Sequence, residues 1–331
     1  MRVERQFREN SPLSALNSQP STLVFIKPGS LGDVVHALPV AAALHRAWPA
    51  ARLSWVIDPR WEAVLEGNPA VAERIPFARE NYRGPAGLVR AARWLAGLRH
   101  RRPDLAIDLQ GLLRSALIAK SSRAQRIIGL ADAREGATSF YDQAAPVTAT
   151  QHAVDRYLAV LPLLGIEIPA TPEFPLGAGE PIEAPADFIL LHPYARGAGK
   201  SLTDAQITRL CERLAPAPVV LAGFGAAPAG LPANVHDFTH RTSLAQLIAL
   251  LRRARSVISV DSGPMHLAAA VGTRLLSIHT WSDPRKVGPY SADAWIWQGG
   301  QLRPQRLDAP LQAERPLADA DLDAIAAWAA D

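Results

Sequence analysis

A single cysteine, Cys211, among 331 residues rules out an internal disulfide, so the fold has to rest on packed cores rather than cross-links. Leu210 and Leu214 beside it predict a buried helical position, where a lone thiol is inert and fits a reducing compartment. Long apolar runs are missing too. The charge-free stretch Leu214 to Ala233 carries four prolines and three glycines, which no membrane-spanning helix of that length would readily hold. The start of the chain mixes Arg2, Arg5 and Arg8 with Glu4 and Glu9 and has no apolar segment. Residues 1–20 therefore read as a disordered extension rather than a signal peptide. Also absent are the Gly-Lys-Ser/Thr of a phosphate loop, the full Gly-x-Gly-x-x-Gly of a dinucleotide fold, and an Asp-x-Asp metal motif at a strand end.

What is present fits two α/β domains of about 150 residues each. Hydrophobic residues make up 48% and charged residues 20% of the chain, enough to bury cores. Short apolar strands are expected at Thr22 to Lys27, Leu53 to Ile57, Leu105 to Leu109 and Arg126 to Gly129, with helices at Asp33 to Trp48 and Gly87 to Leu98. The proline-rich run from Leu164 to Ala186 breaks the pattern and reads as a linker. A second series follows: strands at Phe188 to His192, Val219 to Ala222, Ser256 to Val260 and Arg274 to His279. Its helices fall at Thr203 to Leu214, Leu244 to Arg252, Pro264 to Val271 and Asp319 to Ala329. Alternating strands and helices give parallel sheets covered on both faces. The expected division is a Rossmann-like domain at 21–165, a linker at 166–186 and a second Rossmann-like domain at 187–331. The ligand cleft would lie between them, at the carboxyl ends of the strands.

Four segments carry chemistry. In Lys27-Pro-Gly-Ser-Leu-Gly-Asp33-Val-Val-His36, glycines allow close backbone approach and a helix start offers free N–H groups. Asp33 sits where an N-cap would. In Ser259-Val-Asp261-Ser262-Gly263-Pro264-Met-His266, a strand ends in a hydroxyl-bearing helix start that suits a diphosphate, though an ordinary cap has the same spacing. His192-Pro-Tyr-Ala-Arg196-Gly-Ala-Gly199-Lys200 adds two cations on a glycine-rich loop, which serves a phosphate or simply a solvated surface. Between Arg79 and Arg126 stand eleven Lys or Arg against three Asp or Glu, a local charge of +8 in a chain of net +4. Such a one-sided charge suits an anionic partner, such as a phosphorylated saccharide on a membrane surface, or a solvated helix face. No nucleic-acid-binding motif accompanies it, so nucleic acid is not an expected partner.

Together these segments resemble glycosyltransferase family 9, the heptosyltransferases of the lipopolysaccharide inner core. The matching stretches are Lys27 to Pro39, Asp108-Leu-Gln-Gly-Leu-Leu-Arg-Ser115, His152-Ala-Val-Asp-Arg-Tyr157, Ser259 to His266 and, more weakly, Ser282-Asp-Pro284. They occur in family order between about Leu23 and Tyr290. The resemblance implies a GT-B fold and an inverting transfer from an NDP-heptose, ADP-heptose in the family, with neither metal nor cofactor. It also implies an anionic lipid-linked saccharide acceptor, reached by peripheral contact with the cytoplasmic face of the inner membrane. Carried over residue by residue, Asp33 matches the general base, and Lys200 the lysine that neutralises the leaving diphosphate. Asp261, Ser262, Gly263 and His266 match the nucleotide-sugar site. Lys27, Ser30, Arg60 and Gln110 fall where the family contacts its acidic acceptor or supports the reacting centre.

Two departures mark this chain. Ser201 and Leu202 follow the lysine where many members have x-Trp. The stretch Gly223-Phe-Gly-Ala-Ala-Pro228 lacks the acid that often holds the ribose. A transferase using another NDP-sugar, or a non-catalytic sugar-nucleotide or glycan-binding relative, would share the same motifs. Release of NDP separates a transferase from a binder.

Overall fold

The computed structural model describes residues 19–331, so all but the last two residues of the expected 1–20 extension lie outside them. The first half runs β1 (Thr22–Ile26), α1 (Leu31–Ala47), β2 (Arg52–Ile57), β3 (Glu73–Pro76), α2 (Gly84–Leu98), β4 (Leu105–Asp108), α3 (Leu113–Ser121), β5 (Arg126–Leu130), β6 (Gln143–Ala145) and α4 (Ala153–Leu158). Its six strands form a parallel sheet in the order β3-β2-β1-β4-β5-β6. From Leu23 to Ile26, β1 is apolar because both its faces are covered. Leu23 and Phe25 share a core with α1, while Val24 and Ile26 share another with α2 and α3.

The second half runs β7 (Ile189–His192), α5 (Asp204–Leu214), β8 (Val219–Leu221), β9 (Val235–Asp237), α6 (Leu244–Arg253), β10 (Ser256–Val260), α7 (Gly263–Val271), β11 (Leu275–His279), α8 (Pro284–Val287), β12 (Trp295–Gln298), β13 (Gln301–Pro304) and α9 (Asp319–Ala330). The sheet order is β13-β12-β11-β10-β7-β8-β9, parallel except for the β12–β13 pair. Both sheets thus have the doubly wound order, with the switch point beside the first strand of each half.

The helices start where side chains can satisfy free backbone N–H groups. Thr203 and Ser243 each form a capping box with a glutamine three residues on, Gln206 and Gln246. Ile207, Leu210, Cys211 and Leu214 then form the buried face of α5. Burial pushes the Cys211 thiol up to about 12, which keeps it inert.

The proline-rich run after Leu164 has no regular secondary structure until β7. It is pinned to α6: Arg252 donates to the Leu176 carbonyl at 2.8 Å and Arg253 to the Ile182 carbonyl at 2.7 Å. The two halves also touch directly. α1 packs against α4 on its own side and α7 on the other, and the core around Val34, Leu38 and Leu44 continues into Leu247, Met265 and Leu267. Among the described residues no helix is long and apolar enough to cross a membrane.

Candidate active site

Sheet register sets the level of the site. Ile26 pairs with Val56 on one side and with Asp108 on the other. The residues just beyond, Lys27, Asp58 and Leu109 to Gln110, therefore gather at the carboxyl ends of three adjacent strands. Lys27 is buried, and its ammonium donates to the Leu109 carbonyl at 3.0 Å. It also lies 3.5 Å from Asp33 Oδ1 and 4.6 Å from the centre of the Tyr157 ring. Burial is the largest influence on that lysine and holds its pKa below the ordinary value, against the pull of Asp33 and Asp108.

The expectation that Asp33 caps α1 needs correction, because Ser30 is the N-cap and Asp33 stands three residues on. Its Oδ2 accepts from both the N–H and the Oγ of Ser30, each at 2.9 Å. Its Oδ1 accepts from the buried Tyr157 hydroxyl at 2.7 Å. About a third of the side chain, 35%, stays open to the cleft. Burial alone would raise the Asp33 pKa, but Lys27, Tyr157 and Ser30 outweigh it and hold the carboxyl below its ordinary value. Burial first, then the charge and hydrogen bond of Asp33, push the Tyr157 hydroxyl well above its usual value, so it stays a donor.

Gln110 belongs to a turn organised by Asp108. Its N–H and that of Gly111 donate to Asp108 Oδ1 at 2.9 and 3.1 Å, while Ser115 and Tyr141 hydroxyls donate to Oδ2. The side-chain Oε1 of Gln110 is buried without a partner. Arg60 is more exposed. It grips Asp58 with two bonds, Nε to Oδ1 at 2.9 Å and Nη2 to Oδ2 at 2.6 Å. An acceptor anion would therefore have to share Arg60 with that carboxylate.

In the second half, Lys200 donates to Asp261 Oδ2 at 2.5 Å. Burial would raise the Asp261 pKa, yet the nearby His279, Lys200 and Ser282 hold it below its ordinary value. The lysine loop is fastened by Thr280, whose hydroxyl donates to the Gly199 carbonyl at 2.9 Å. Leu202 is buried in the core of this half, and Lys200 Nζ lies 4.5 Å from the Trp281 ring centre. At the Gly223 to Pro228 loop, Tyr194 packs where any side chain at Gly225 would go, and donates to the Ala226 carbonyl at 2.9 Å.

The two motifs meet at their glycines. A Cβ on Gly32 would lie 2.6 Å from the His266 ring, and one on Gly263 would lie 2.7 Å from Leu31. The starts of α1 and α7, each the positive end of a helix dipole, thus converge on one point with Asp33 beside it. Behind them, His36 Nε2 and His266 Nδ1 share a hydrogen bond of 2.9 Å across the halves. α4 adds two further ties. His152 Nε2 donates to the Gly288 carbonyl at 3.0 Å, and Tyr290 Oη donates to Asp155 Oδ1 at 2.6 Å.

Sequence reasoning named Asp33, Lys200 and the Ser259 to His266 motif as candidates but gave no role to Tyr157, His36, His152 or Trp281. The first three lie inside quoted motifs, so their positions were in view without their partners. Trp281 had one signal, its place just after a strand and before Ser282-Asp-Pro284.

Two doubly wound halves facing each other across a cleft, with the motif-bearing loops at the strand ends, constitute the GT-B architecture of glycosyltransferases. Comparison narrows the class: the profile of glycosyltransferase family 9 (heptosyltransferase) matches residues 92–195 and 221–307. Lipopolysaccharide heptosyltransferase 1 of Pseudomonas aeruginosa is 32% identical over 290 residues, 81% of each chain. The chain belongs to glycosyltransferase family 9 and is a glycosyltransferase. Among solved structures, the Escherichia coli heptosyltransferase WaaC with ADP-2-deoxy-2-fluoro heptose superposes with a TM-score of 0.73 at 24% identity, over 84% of this chain and 94% of that one. The E. coli ADP-heptose lps heptosyltransferase II gives 0.71 at 20% identity, over 84% and 90%.

Proposed function

We propose that this enzyme transfers heptose from ADP-heptose to the lipopolysaccharide inner core, with inversion and without a metal ion. Residues 21–165 would bind the acceptor, 187–331 the donor, and 166–186 would join them. The donor assignment is supported by family membership and by relatives named for heptosyl transfer. The observation that carries the mechanism is Asp33, an ionised carboxylate partly open to the cleft and next to the converging starts of α1 and α7.

In this reading the acceptor hydroxyl attacks the anomeric carbon while Asp33 takes its proton. The bond from that carbon to the diphosphate oxygen breaks, and its electron pair leaves with the ADP. Attack and departure occur on opposite faces, so configuration inverts. Because Asp33 is held ionised, it accepts the proton late, once the attacking oxygen has become acidic. Lys200 and the α7 helix start at Ser262 and Gly263 would balance the charge growing on the diphosphate, with Asp261 holding Lys200 in place. Lys27 and Ser30 would fix Asp33, and Arg60 and Gln110 would face the anionic, lipid-linked acceptor at the cytoplasmic face of the inner membrane.

The test is Asp33→Asn. It should bind donor, seen as a melting shift with ADP-heptose, and lose transfer by about 100-fold or more. Near-normal turnover would remove Asp33 from the base role. In the wild type, a chelator should leave turnover unchanged. A melting screen preferring UDP- or GDP-sugars would overturn the donor.

A further inference from the structure

The +8 segment has a structural counterpart that the transfer chemistry does not use. α2 and α3 lie side by side on the face of the first sheet opposite α1, over the core that holds Val24, Ile26 and Ile118. Their inner sides are accounted for; their outer sides are not. α2 turns only Gly87 and Leu98 fully inward. Leu88 is 68% exposed and Val89 52%, and on α3 Leu113 and Leu117 are 40% and 39% exposed. These four are large apolar side chains exposed on a pair of neighbouring helices. α2 contains no acid. Arg83, Arg90, Arg93 and Lys120 are exposed around the apolar residues, with Glu80 and Glu135 the acids at the margin.

Apolar side chains that project among arginines match the chemistry of an anionic bilayer: phosphate headgroups outside, acyl chains beneath. A folded protein partner would need matching acids and a defined pocket, whereas the exposed side chains of this layer are apolar residues set among arginines and a lysine. We propose that the outer face of α2 and α3 is a docking surface for an anionic lipid bilayer, with Leu88, Val89, Leu113 and Leu117 entering the headgroup boundary. The proposal rests on the reading of a lipid-linked acceptor and gives it a geometry. α3 begins directly after the Gln110–Gly111 turn, so a bilayer under this layer would lie at the rim of the acceptor side of the cleft.

The test uses the full chain and vesicles that contain no acceptor. Wild-type protein should sediment with phosphatidylcholine vesicles containing phosphatidylglycerol, far less with pure phosphatidylcholine, and release as salt is raised. Arg90→Gln/Arg93→Gln should weaken that partition about tenfold or more. Leu88→Ser/Val89→Ser should weaken it too, at unchanged salt dependence. Both variants should keep their melting temperature and their turnover on a deacylated acceptor. Equal sedimentation with neutral and anionic vesicles, no sedimentation with either, or wild-type partition by both variants would overturn the proposal. Vesicle binding in a protein that transfers no sugar would instead sink the transferase reading and leave this surface standing.

Discussion

At the level of single residues, Asp33 is defined less by its own identity than by the donors around it. A carboxylate at the third position of a helix usually does no more than complete a capping box. Here Oδ2 does that with Ser30, while Oδ1 is taken by a buried phenol from α4, 124 residues away in sequence. The Lys27 ammonium, 3.5 Å away, adds charge without reaching solvent. Tyr157→Phe removes one donor and leaves the ring that packs over Lys27. The Asp33 pKa should rise, and the sign of the effect follows: the acid limb of kcat/KM moves to higher pH. Turnover at neutral pH should fall by about tenfold as the carboxylate loses its alignment. A merely structural tyrosine would lower the melting temperature and leave the acid limb where it was. An unmoved limb with unchanged turnover would exclude Tyr157 as a positioning residue.

At the level of elements, the glycines explain why α1 and α7 can meet. Gly32→Ala puts a methyl group 2.6 Å from a buried histidine ring that is itself bonded to His36, so the halves must shift. The expected cost is about 1–3 kcal/mol in urea unfolding, with a larger loss in turnover. Gly32→Ala/His266→Ala should regain stability relative to Gly32→Ala; failure to do so would mean that the close approach is not what Gly32 provides. Such pairings mark the boundary of what was legible beforehand. The strands and helices flanking the Lys27, His192 and Ser259 motifs were readable, because long apolar runs such as β1 and periodic faces such as that of α5 leave a clear trace. β3, β6 and β9 were not, since three or four half-exposed residues at a sheet edge carry too little pattern. α4 hid for a related reason: it is six residues long, and its polar side chains point at other elements. The motif His152 to Tyr157 was visible as letters, but its work is tertiary. His152 and Asp155 reach Gly288 and Tyr290, while Tyr157 reaches Asp33.

Across the whole molecule, the contact between the halves adds a cluster of neutral histidines to its apolar core. His36, His152 and His266 gather there, all buried, with ring centres 5.3 Å apart for His36–His152 and 4.2 Å for His36–His266. Burial is the first cause for each and depresses all three below 6.5: His36 well below it, His266 to about 4. The rings also disfavour one another's charge. In the unfolded chain these histidines bind protons as pH falls through about 6.5; in the folded one they resist until near the depressed values. The unfolded state therefore binds more protons across that window. Their contribution to stability is complete above about 6.5 and is lost progressively as pH falls through their depressed values, by about 1.4 kcal/mol per pH unit for each histidine still neutral. His192 and His279, also depressed by burial to about 4, add to the slope within the second half alone. Asp33 and Asp261, with depressed pKa values, lose their contribution only at still lower pH. Urea unfolding followed from pH 7.5 to 4.5 should show stability dropping steeply. Substituting His36 by Gln should flatten the curve while leaving some destabilisation at neutral pH. A wild-type profile level across that range would mean that these rings are already charged in the folded protein, and that the halves are held together by something other than their neutral pairing.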